Sequence, residues 1–350
     1  MQEATLYSPM PELKVRCTAC RRYCLLANGQ TGFCGVRTNI DGKLYLANFG
    51  RIVAKQLDPI EKKPIIHAHP NSLIYSIGTS GCDFACKFCQ NYDISQRRSP
   101  EGYEISPAEI VEEAVDYGCS GIAYTYNEPT IFAEFAAVVG KIAHDHGLFN
   151  IFVTNGYETP EAVRYISDFL DYATVDFKGN ASEQFYRQYM SVPHAEDVFD
   201  TLELFIKHGV HTEITDLVVP NGGDSLTALD NMLERIMAIA DRDIPISFLR
   251  FHPDYKMMNF QSTPLSTLND HYDAARRKGF RYVYIGNVPG SEKQNTYCPS
   301  CGRAIVMRDM MHTLEINLDP DGRCSFCAYQ TGLRDFAESQ GDSLHGETPT

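Results

Sequence analysis

The sequence predicts an α/β protein, a partial (β/α) barrel flanked by small N-terminal and C-terminal cysteine-rich modules. Three observations lead to this prediction. From residue 71 to residue 292, apolar strand-like stretches alternate with amphipathic helix-like stretches. Six or seven such units over about 215 residues fit an incomplete barrel better than a full eightfold one. The twelve cysteines form groups of four, three and four, with Cys119 left over.

Length and composition are those of an ordinary globular protein. The chain has 350 residues, of which 43% are hydrophobic and 22% are charged. Its apolar runs are much shorter than the ~20 residues of a membrane helix, and segment 1–11 lacks a signal-peptide core, so we expect a cytoplasmic protein without a membrane partner. The net charge of −14, from 31 basic and 45 acidic residues, repels polyanions and disfavours nucleic acid as a partner.

Residues 1–70 form the predicted N-terminal module, whose main feature is a cysteine quartet. Spaced C-x2-C-x3-C-x9-C, its members are Cys17, Cys20, Cys24 and Cys34. Grouped cysteines in a chain without an export signal indicate metal ligands, because the cytosol keeps thiols reduced. Three interpretations stay open for this quartet: zinc, a second and fully ligated iron–sulfur cluster that relays electrons, or thiols that only pack a core. Strand-like stretches at 43–48 and 51–57 follow.

The predicted barrel covers 71–292. Its expected strands are 73–79, 121–125, 149–154, 172–176, 211–219, 246–251 and 282–285. Its expected helices are 107–117, 130–146, 160–169, 181–189, 197–208, 225–240 and 264–278. Ser106, Pro107 and Glu109 are typical of a helix start, because serine caps the first turn and proline fits it. In such folds the loops that follow the strands carry the chemistry.

Three cysteines follow the first predicted barrel strand. Cys82, Cys86 and Cys89 have the spacing C-x3-C-x2-C. Iron–sulfur clusters prefer thiolate ligands and usually take four, so three on one loop leave an iron of a 4Fe–4S cluster open to a substrate or cofactor. The spacing also matches one face of a helix, where the cysteines would only pack a core. The polar neighbours Asp83 and Lys87 favour the ligand loop.

The predicted C-terminal module, 293–333, contains two C-x2-C knuckles. They supply Cys298, Cys301, Cys324 and Cys327. Four thiolates in this arrangement favour a closed tetrahedral zinc site, with rubredoxin-like iron as the alternative. We expect the metal to stabilise a short segment that lacks a core of its own. The polar segment 334–350 is predicted to be disordered, and Cys119 is interpreted as a small buried apolar residue.

Beyond the cysteine groups, further motifs run through the chain. They are Gly32-Phe-Cys34-Gly-Val-Arg37, Asp58-Pro-Ile-Glu-Lys-Lys-Pro64, Cys89-Gln-Asn-Tyr-Asp-Ile-Ser-Gln96, Tyr124-Thr-Tyr-Asn-Glu-Pro-Thr130, Val153-Thr-Asn-Gly-Tyr157, Asp176-Phe-Lys178 and Gly286-Asn-Val-Pro289. Together with the cysteine loop they resemble the radical S-adenosylmethionine (SAM) superfamily, and within it the AmmeMemoRadiSam-system radical SAM enzymes. That group is similar to the pyruvate formate-lyase activating enzymes. The resemblance extends over residues 17–327.

The resemblance implies that SAM binds the open iron and that the neighbouring strand ends hold it. Glu128 would accept hydrogen bonds from the SAM ammonium group, while Asp176 and Lys178 would meet its carboxylate or a monovalent cation. The stretch Tyr126-Asn127 replaces two glycines of the activating enzymes, so its backbone should differ. Taken without the resemblance, these positions also fit an ordinary loop and a salt bridge at the barrel rim. The implied cofactor-binding residues are Tyr126, Asn127, Glu128, Thr154, Asn155, Asp176, Lys178 and His252.

The implied activity is that of an oxidoreductase. SAM would be cleaved reductively at the 4Fe–4S cluster to a 5′-deoxyadenosyl radical, which abstracts hydrogen from an unidentified substrate. Flavodoxin or ferredoxin would supply the electron. Two alternatives stay open: an activating enzyme that installs a glycyl radical on a partner protein, and a non-catalytic iron–sulfur protein for electron transfer or docking. Beyond the cluster loop, we assign no catalytic residue.

Overall fold

The structure, a computed structural model, describes residues 1–336, so most of the tail predicted to be disordered lies outside the described residues. The strands are β1 (Gln2–Glu3), β2 (Tyr7–Met10), β3 (Lys14–Cys17), β4 (Leu25–Leu26), β5 (Arg37–Ile40), β6 (Lys43–Leu46), β7 (Arg51–Ile52), β8 (Ala54–Pro59), β9 (Leu73–Gly78), β10 (Tyr103–Glu104), β11 (Gly121–Tyr124), β12 (Phe149–Thr154), β13 (Tyr172–Lys178), β14 (His211–Val218), β15 (Ile246–Arg250), β16 (Val283–Gly286), β17 (Thr296–Tyr297), β18 (Ala304–Asp309) and β19 (His312–Ile316). The α-helices are α1 (Tyr92–Ser95), α2 (Pro107–Asp116), α3 (Ala133–Asp145), α4 (Pro160–Ile166), α5 (Glu183–Phe185), α6 (Glu196–Lys207), α7 (Leu226–Ile239) and α8 (Leu265–Arg277).

The centre of the fold is an eight-stranded sheet with the order β16-β15-β14-β13-β12-β11-β9-β8. The seven strands from β9 to β16 in this sheet pair in parallel, and β8 pairs antiparallel with β9 at the edge. Because β8 and β16 are opposite edges of the sheet, the barrel stays open between them. This confirms the predicted α/β class with a central parallel sheet.

Most residues of the parallel strands are buried, because strands in a covered parallel sheet are buried on both faces. In β11, for example, all four residues are buried. Helices connect successive strands, and several begin at a capping side chain. At α2, the Ser106 side chain accepts from the Glu109 N–H while the Glu109 carboxylate accepts from the Ser106 N–H, which forms a capping box with Pro107 in the first turn.

Two predicted helices differ from the structure. The stretch predicted as a helix over 130–146 begins with a 3₁₀ turn, Pro129–Phe132, and becomes α-helical only at Ala133. The stretch predicted over 181–189 is broken into α5 and a π-helical segment, Tyr186–Met190. The π-helical segment pairs with the cysteine loop: the Ala85 N–H donates to the Met190 carbonyl at 3.0 Å, and the Lys87 N–H donates to the Tyr189 carbonyl at 2.8 Å.

The N-terminal region packs directly on the barrel. Its small sheets, β1-β6-β5 and β2-β3-β4, contribute to the same hydrophobic core as the barrel strands. Strand β8 then joins the central sheet, so residues before position 71 already belong to the barrel sheet. The predicted module boundaries themselves stay a prediction.

The C-terminal region is a three-stranded antiparallel sheet, β17-β18-β19, next to the cysteine quartet. It docks on segment 61–71 of the N-terminal half. Arg308 donates to the Ile66 carbonyl at 2.7 Å, and the Thr313 hydroxyl donates to the Glu61 carboxylate at 2.8 Å. This sheet therefore lies beside the open edge of the barrel. In residues 1–336, no helix combines the length and apolar character needed to cross a membrane.

Candidate functional site

A cavity of about 260 Å³ opens at the carboxyl ends of the parallel strands. This is the end at which parallel α/β folds place their chemistry. The structure brings every site residue predicted for the barrel to this cavity, although their roles stay predictions. They are Cys82, Cys86, Cys89, Tyr126, Asn127, Glu128, Thr154, Asn155, Asp176, Lys178 and His252.

The three cysteines lie on a loop and not on a helix, so the core-helix alternative for their spacing does not hold. Cys82 and Cys86 are buried, and Cys89 is partly exposed to the cavity side. The Cys82 sulfur accepts from the Phe84 N–H at 3.5 Å, and the Cys89 sulfur lies 3.1 Å from the Ser95 hydroxyl. Burial, reinforced by the Asp83 charge, raises the pKa of the Cys82 thiol.

Asn127 holds the chain just before the cysteine loop. The side-chain oxygen Oδ1 of Asn127 accepts from the Thr79 N–H at 3.0 Å, and its side-chain nitrogen Nδ2 donates to the Gly81 carbonyl at 2.8 Å. Tyr126 next to it has a φ of 70°, a conformation that favours glycine. The Tyr126 hydroxyl donates to the Asp58 carboxylate at 2.7 Å, and its carbonyl accepts from Asn91 at 2.9 Å. The tyrosine thus keeps a glycine-like backbone because its side chain and carbonyl are both held.

Glu128 connects the ends of two neighbouring strands. One carboxylate oxygen accepts from the Thr130 N–H at 3.1 Å and from the Thr154 hydroxyl at 2.9 Å. The other accepts from the Asn155 N–H at 2.8 Å. Burial raises the pKa of Glu128 well above its usual value, and the charges of Glu158 and Asp83 add to this rise.

Two further carboxylates lie close to Glu128 and were not predicted as site residues. Asp83 accepts from the Asn155 amide at 2.8 Å, and Glu158 accepts from the Thr154 hydroxyl at 2.5 Å. Both are buried, and within residues 1–336 their second oxygens, Asp83 Oδ2 and Glu158 Oε2, have no hydrogen-bond partner. Burial raises the pKa of Glu158 to about 7. The place of Asp83 inside the cysteine loop could have identified it as a site residue. No neighbouring residue in the sequence identifies Glu158 in this way.

Asp176 and Lys178 form an ion pair at the end of β13. The Lys178 ammonium lies 2.5 Å from Asp176 Oδ2, and Asp176 Oδ1 accepts from the Thr215 hydroxyl at 2.8 Å. The Lys178 side chain is only 14% exposed and the Asp176 side chain 26%, so the pair lies in the cavity wall and is not a solvated rim contact. Burial opposes the charge on Lys178, but Asp176 and the nearby Cys86 outweigh this and raise its pKa.

Aromatic side chains close the cavity around the cysteines. Phe84 and Phe88 flank the ligands and are 1% and 4% exposed. Phe84 packs edge-on against Tyr157 with ring centres 5.3 Å apart, and Phe88 lies 5.7 Å from Phe185. These buried rings make the wall beside the cysteines apolar. His252 is exposed and lines the cavity next to Phe251.

The C-terminal quartet forms a separate, closed set of thiols. The Cys298 and Cys327 sulfurs are 3.6 Å apart, and the Cys301 and Cys324 sulfurs are 3.7 Å apart. Tetrahedral zinc with Zn–S bonds of about 2.3 Å requires sulfurs about 3.8 Å apart. The geometry therefore fits one tetrahedral metal ion bound by all four cysteines.

The chain is similar to radical SAM proteins. Residues 76–236 match the Radical SAM superfamily. An uncharacterized protein of Methanocaldococcus jannaschii, MJ0808, is 41% identical over 330 residues, which are 93% of this chain and 98% of that protein. A radical SAM methyltransferase from Sphaerobacter thermophilus shares the fold with a TM-score of 0.50 at 12% identity, over 63% of this chain and 68% of that one. A domain of a pyruvate-formate lyase-activating enzyme from Bacteroides vulgatus has a TM-score of 0.42 at 14% identity, over 48% and 99%.

Superfamily membership implies a 4Fe–4S cluster and SAM as cofactors, and the cavity residues fit both. Three thiols on one loop are the donor type that iron–sulfur clusters take. Glu128 in the cavity wall favours a cationic group. Asp83 and Glu158 are buried near it, and each has an oxygen without a partner in residues 1–336, which adds to the local negative charge that a cation would offset. SAM carries positive charges on its ammonium and sulfonium groups. The chain therefore belongs to the Radical SAM superfamily, in one family with the Methanocaldococcus protein.

Proposed function

We propose that the protein cleaves SAM reductively and uses the product radical to abstract hydrogen from a substrate. The observation that carries this proposal is the cavity itself, where Cys82, Cys86 and Cys89 share one wall with Glu128 and the Asp176–Lys178 pair. When bound, the cluster and SAM supply a one-electron reduction that yields methionine and a 5′-deoxyadenosyl radical. We place the protein with the AmmeMemoRadiSam-system enzymes, with flavodoxin or ferredoxin as its reductant in the cytoplasm.

The charged residues of the cavity have distinct roles in this proposal. Lys178 pairs with the carboxylate of SAM as a point charge, while Asp176 holds the lysine in place. Glu128, with the buried carboxylates Asp83 and Glu158 near it, stabilises the ammonium group. Phe84 and Phe88 keep water from the reacting atoms.

Four cavity residues act by positioning other groups of the site. They are Tyr126, Asn127, Thr154 and Asn155. Asn127 fixes the residues before Cys82, and Thr154 keeps Glu128 in place through its hydroxyl. The Asn155 amide donates to Asp83 and thereby orients that carboxylate within the loop. His252, at the exposed side of the cavity, contacts the adenosine or ribose.

A second cavity, of about 440 Å³, adjoins the first and supplies a place for the substrate. The two share Gln90, Asn91, Thr125, Tyr126, Val153, Leu249 and Asn287 in their walls. Its lining also includes Lys62 and Lys63, and Arg308, Met310 and Met311 of the C-terminal region. This size fits a small molecule or a single side chain. It favours a small polar substrate over the long segment of a glycyl-radical partner.

The test is anaerobic reconstitution of the full chain with iron and sulfide, followed by incubation with dithionite and SAM. We expect 5′-deoxyadenosine and methionine to form in equal amounts, and neither to form without dithionite. A protein that only transfers electrons would leave SAM intact, and this result would overturn the proposal. A glycyl radical detected by electron paramagnetic resonance in a co-purified partner would favour the activating-enzyme alternative over a small substrate.

Replacing Lys178 by methionine should weaken SAM binding by about 10-fold to 150-fold. The substitution removes one charge-assisted contact worth about 1.5–3 kcal/mol and keeps an unbranched side chain only one atom shorter. Equilibrium dialysis of labelled SAM against the reconstituted protein measures the change in Kd. Lys87→Met, an exposed lysine on the cysteine loop, is the matched control and should leave Kd unchanged. Equal Kd values for Lys178→Met and the wild type would rule out the contact with SAM.

A further inference from the structure

The N-terminal cysteine quartet takes no part in the cavity or in the C-terminal metal site. Cys17, Cys20 and Cys34 are buried with 6%, 8% and 7% exposure, and Cys24 is partly exposed. Cys17 ends β3, and its N–H donates to the Cys24 carbonyl at 3.0 Å. Packing of the small N-terminal region alone does not require four buried or half-buried free thiols.

Backbone N–H groups lie near three of these sulfurs. They belong to Ala19 near Cys17, to Arg22 near Cys20 and to Val36 near Cys34. Each donor is two residues after its cysteine, as Phe84 is after Cys82 in the cluster loop. Such N–H···S contacts stabilise thiolates bound to a metal and tune its potential.

The spacing of the sulfurs separates the quartet from a zinc site. Among residues 1–336, the C-terminal quartet is the one group of three or more Cys, His, Asp or Glu side chains whose ligand atoms all lie within 4.8 Å of one another. The N-terminal quartet is more widely spaced, as is the triad of the cluster loop. Cysteines that bind separate irons of a cluster lie farther apart than ligands of a single ion, because the irons and sulfides lie between them.

The quartet also touches the cluster loop directly. Gly81, which precedes Cys82, has a φ of 88° and packs so closely on the Cys34 carbonyl that a side chain would clash there. The Arg22 guanidinium donates to the Asp83 carbonyl, and to the Ser191 carbonyl at 2.8 Å. The two cysteine sets are therefore neighbours, joined by short contacts of the backbone.

Two arginines lie at this junction and share one aromatic ring. The Arg22 and Arg98 guanidinium carbons are 3.6 Å and 3.7 Å from the centre of the Phe33 ring. Arg37, on the other side of the quartet, is buried and near Cys17 and Cys34. Arg37 is already paired with Glu134, so Arg22 and Arg98 supply the positive charge that offsets the net negative charge of a cluster bound by four thiolates.

We propose that Cys17, Cys20, Cys24 and Cys34 bind a second iron–sulfur cluster, ligated by protein at every cysteine position. It accepts one electron from the external reductant, a flavodoxin or ferredoxin, and is reoxidised as it passes that electron to the cluster of Cys82, Cys86 and Cys89. The direction of electron flow rests on the proposed function, whereas the presence of the second cluster does not.

The test measures iron, sulfide and zinc per chain after anaerobic reconstitution. With two 4Fe–4S clusters and one zinc, we expect about eight irons and one zinc in the wild type. Cys17→Ser/Cys34→Ser should lose iron and keep zinc, whereas the Cys119→Ala control should lose neither. Loss of zinc with iron unchanged would show a second zinc site and overturn the proposal. An unchanged content of both metals would show packing thiols and overturn it as well.

A second variant keeps the proposal testable if the quartet variant does not fold. Cys82→Ala/Cys86→Ala/Cys89→Ala removes the cluster loop ligands and leaves the quartet intact. We expect this triple variant to retain iron and, after reduction with dithionite, to show an electron paramagnetic resonance signal that SAM does not change. A triple variant with zinc but without iron would contradict the second cluster. Because this readout needs no SAM cleavage, it stays independent of the proposed activity.

Discussion

Replacing Cys82 by alanine should abolish the formation of 5′-deoxyadenosine from SAM. Cys82 is one of three thiols on the cavity wall, and its sulfur is held by the Phe84 N–H at 3.5 Å. Alanine leaves two thiols, too few to hold a 4Fe–4S cluster with a single open iron. Chromatography of the products after anaerobic incubation with dithionite and SAM measures the loss.

The matched control for this experiment is Cys119→Ala. Cys119 is a buried cysteine just before β11, and it is not part of the cavity wall. We expect it to keep wild-type product formation, and we expect Cys82→Ala to keep its zinc, which shows that the rest of the protein is folded. If Cys82→Ala formed product at a tenth of the wild-type rate or faster, this would contradict the role given to the cysteine loop.

The barrel strands could be predicted because they are short stretches rich in β-branched, aromatic and other apolar residues, separated by amphipathic helix-like stretches. Predicted strand 149–154 agrees with the structure at both ends, and 73–79 and 211–219 differ by one residue at one end. The sequence predicted a strand-like stretch at 51–57 within the N-terminal module, whereas the structure has β8 at Ala54–Pro59 as an edge of the barrel sheet. The β8 sequence, AKQLDP, is mostly polar and partly exposed, so its pattern does not indicate that it pairs with the apolar strand β9.

The cysteine groups could be found as candidate metal ligands from their local spacing, whereas the buried carboxylates could not be found in this way. All three cysteine groups are short-range motifs. Asp83 and Glu158 come together with Glu128 only because strand ends far apart in sequence meet at one edge of the sheet. The hydrogen bond from Asn127 to the Gly81 carbonyl likewise joins residues that are 46 positions apart in the sequence. Such contacts depend on the register of the strands, which composition and periodicity do not specify.

The buried ion pair between Arg37 and Glu134 is another contact that the sequence did not reveal. It joins strand β5 of the N-terminal region to helix α3 of the barrel, and its side chains are 2% and 4% exposed. Arg37 also donates to the Ile131 carbonyl at 2.9 Å, while Glu134 accepts from the Thr5 and Leu6 N–H groups at 3.1 Å each. Burial disfavours the charged carboxylate, but the Arg37 charge outweighs this and lowers the pKa of Glu134.

Replacing Arg37 by methionine should therefore destabilise the protein by about 3–5 kcal/mol, because it leaves the Glu134 charge buried without its partner. Urea titration of the anaerobic protein, followed by far-ultraviolet circular dichroism, measures the loss. Arg51→Met is the control, since it breaks an exposed pair with Glu104 and should cost less than about 1 kcal/mol. If Arg37→Met and Arg51→Met unfolded at the same urea concentration, the buried pair would not stabilise the contact between the N-terminal region and the barrel.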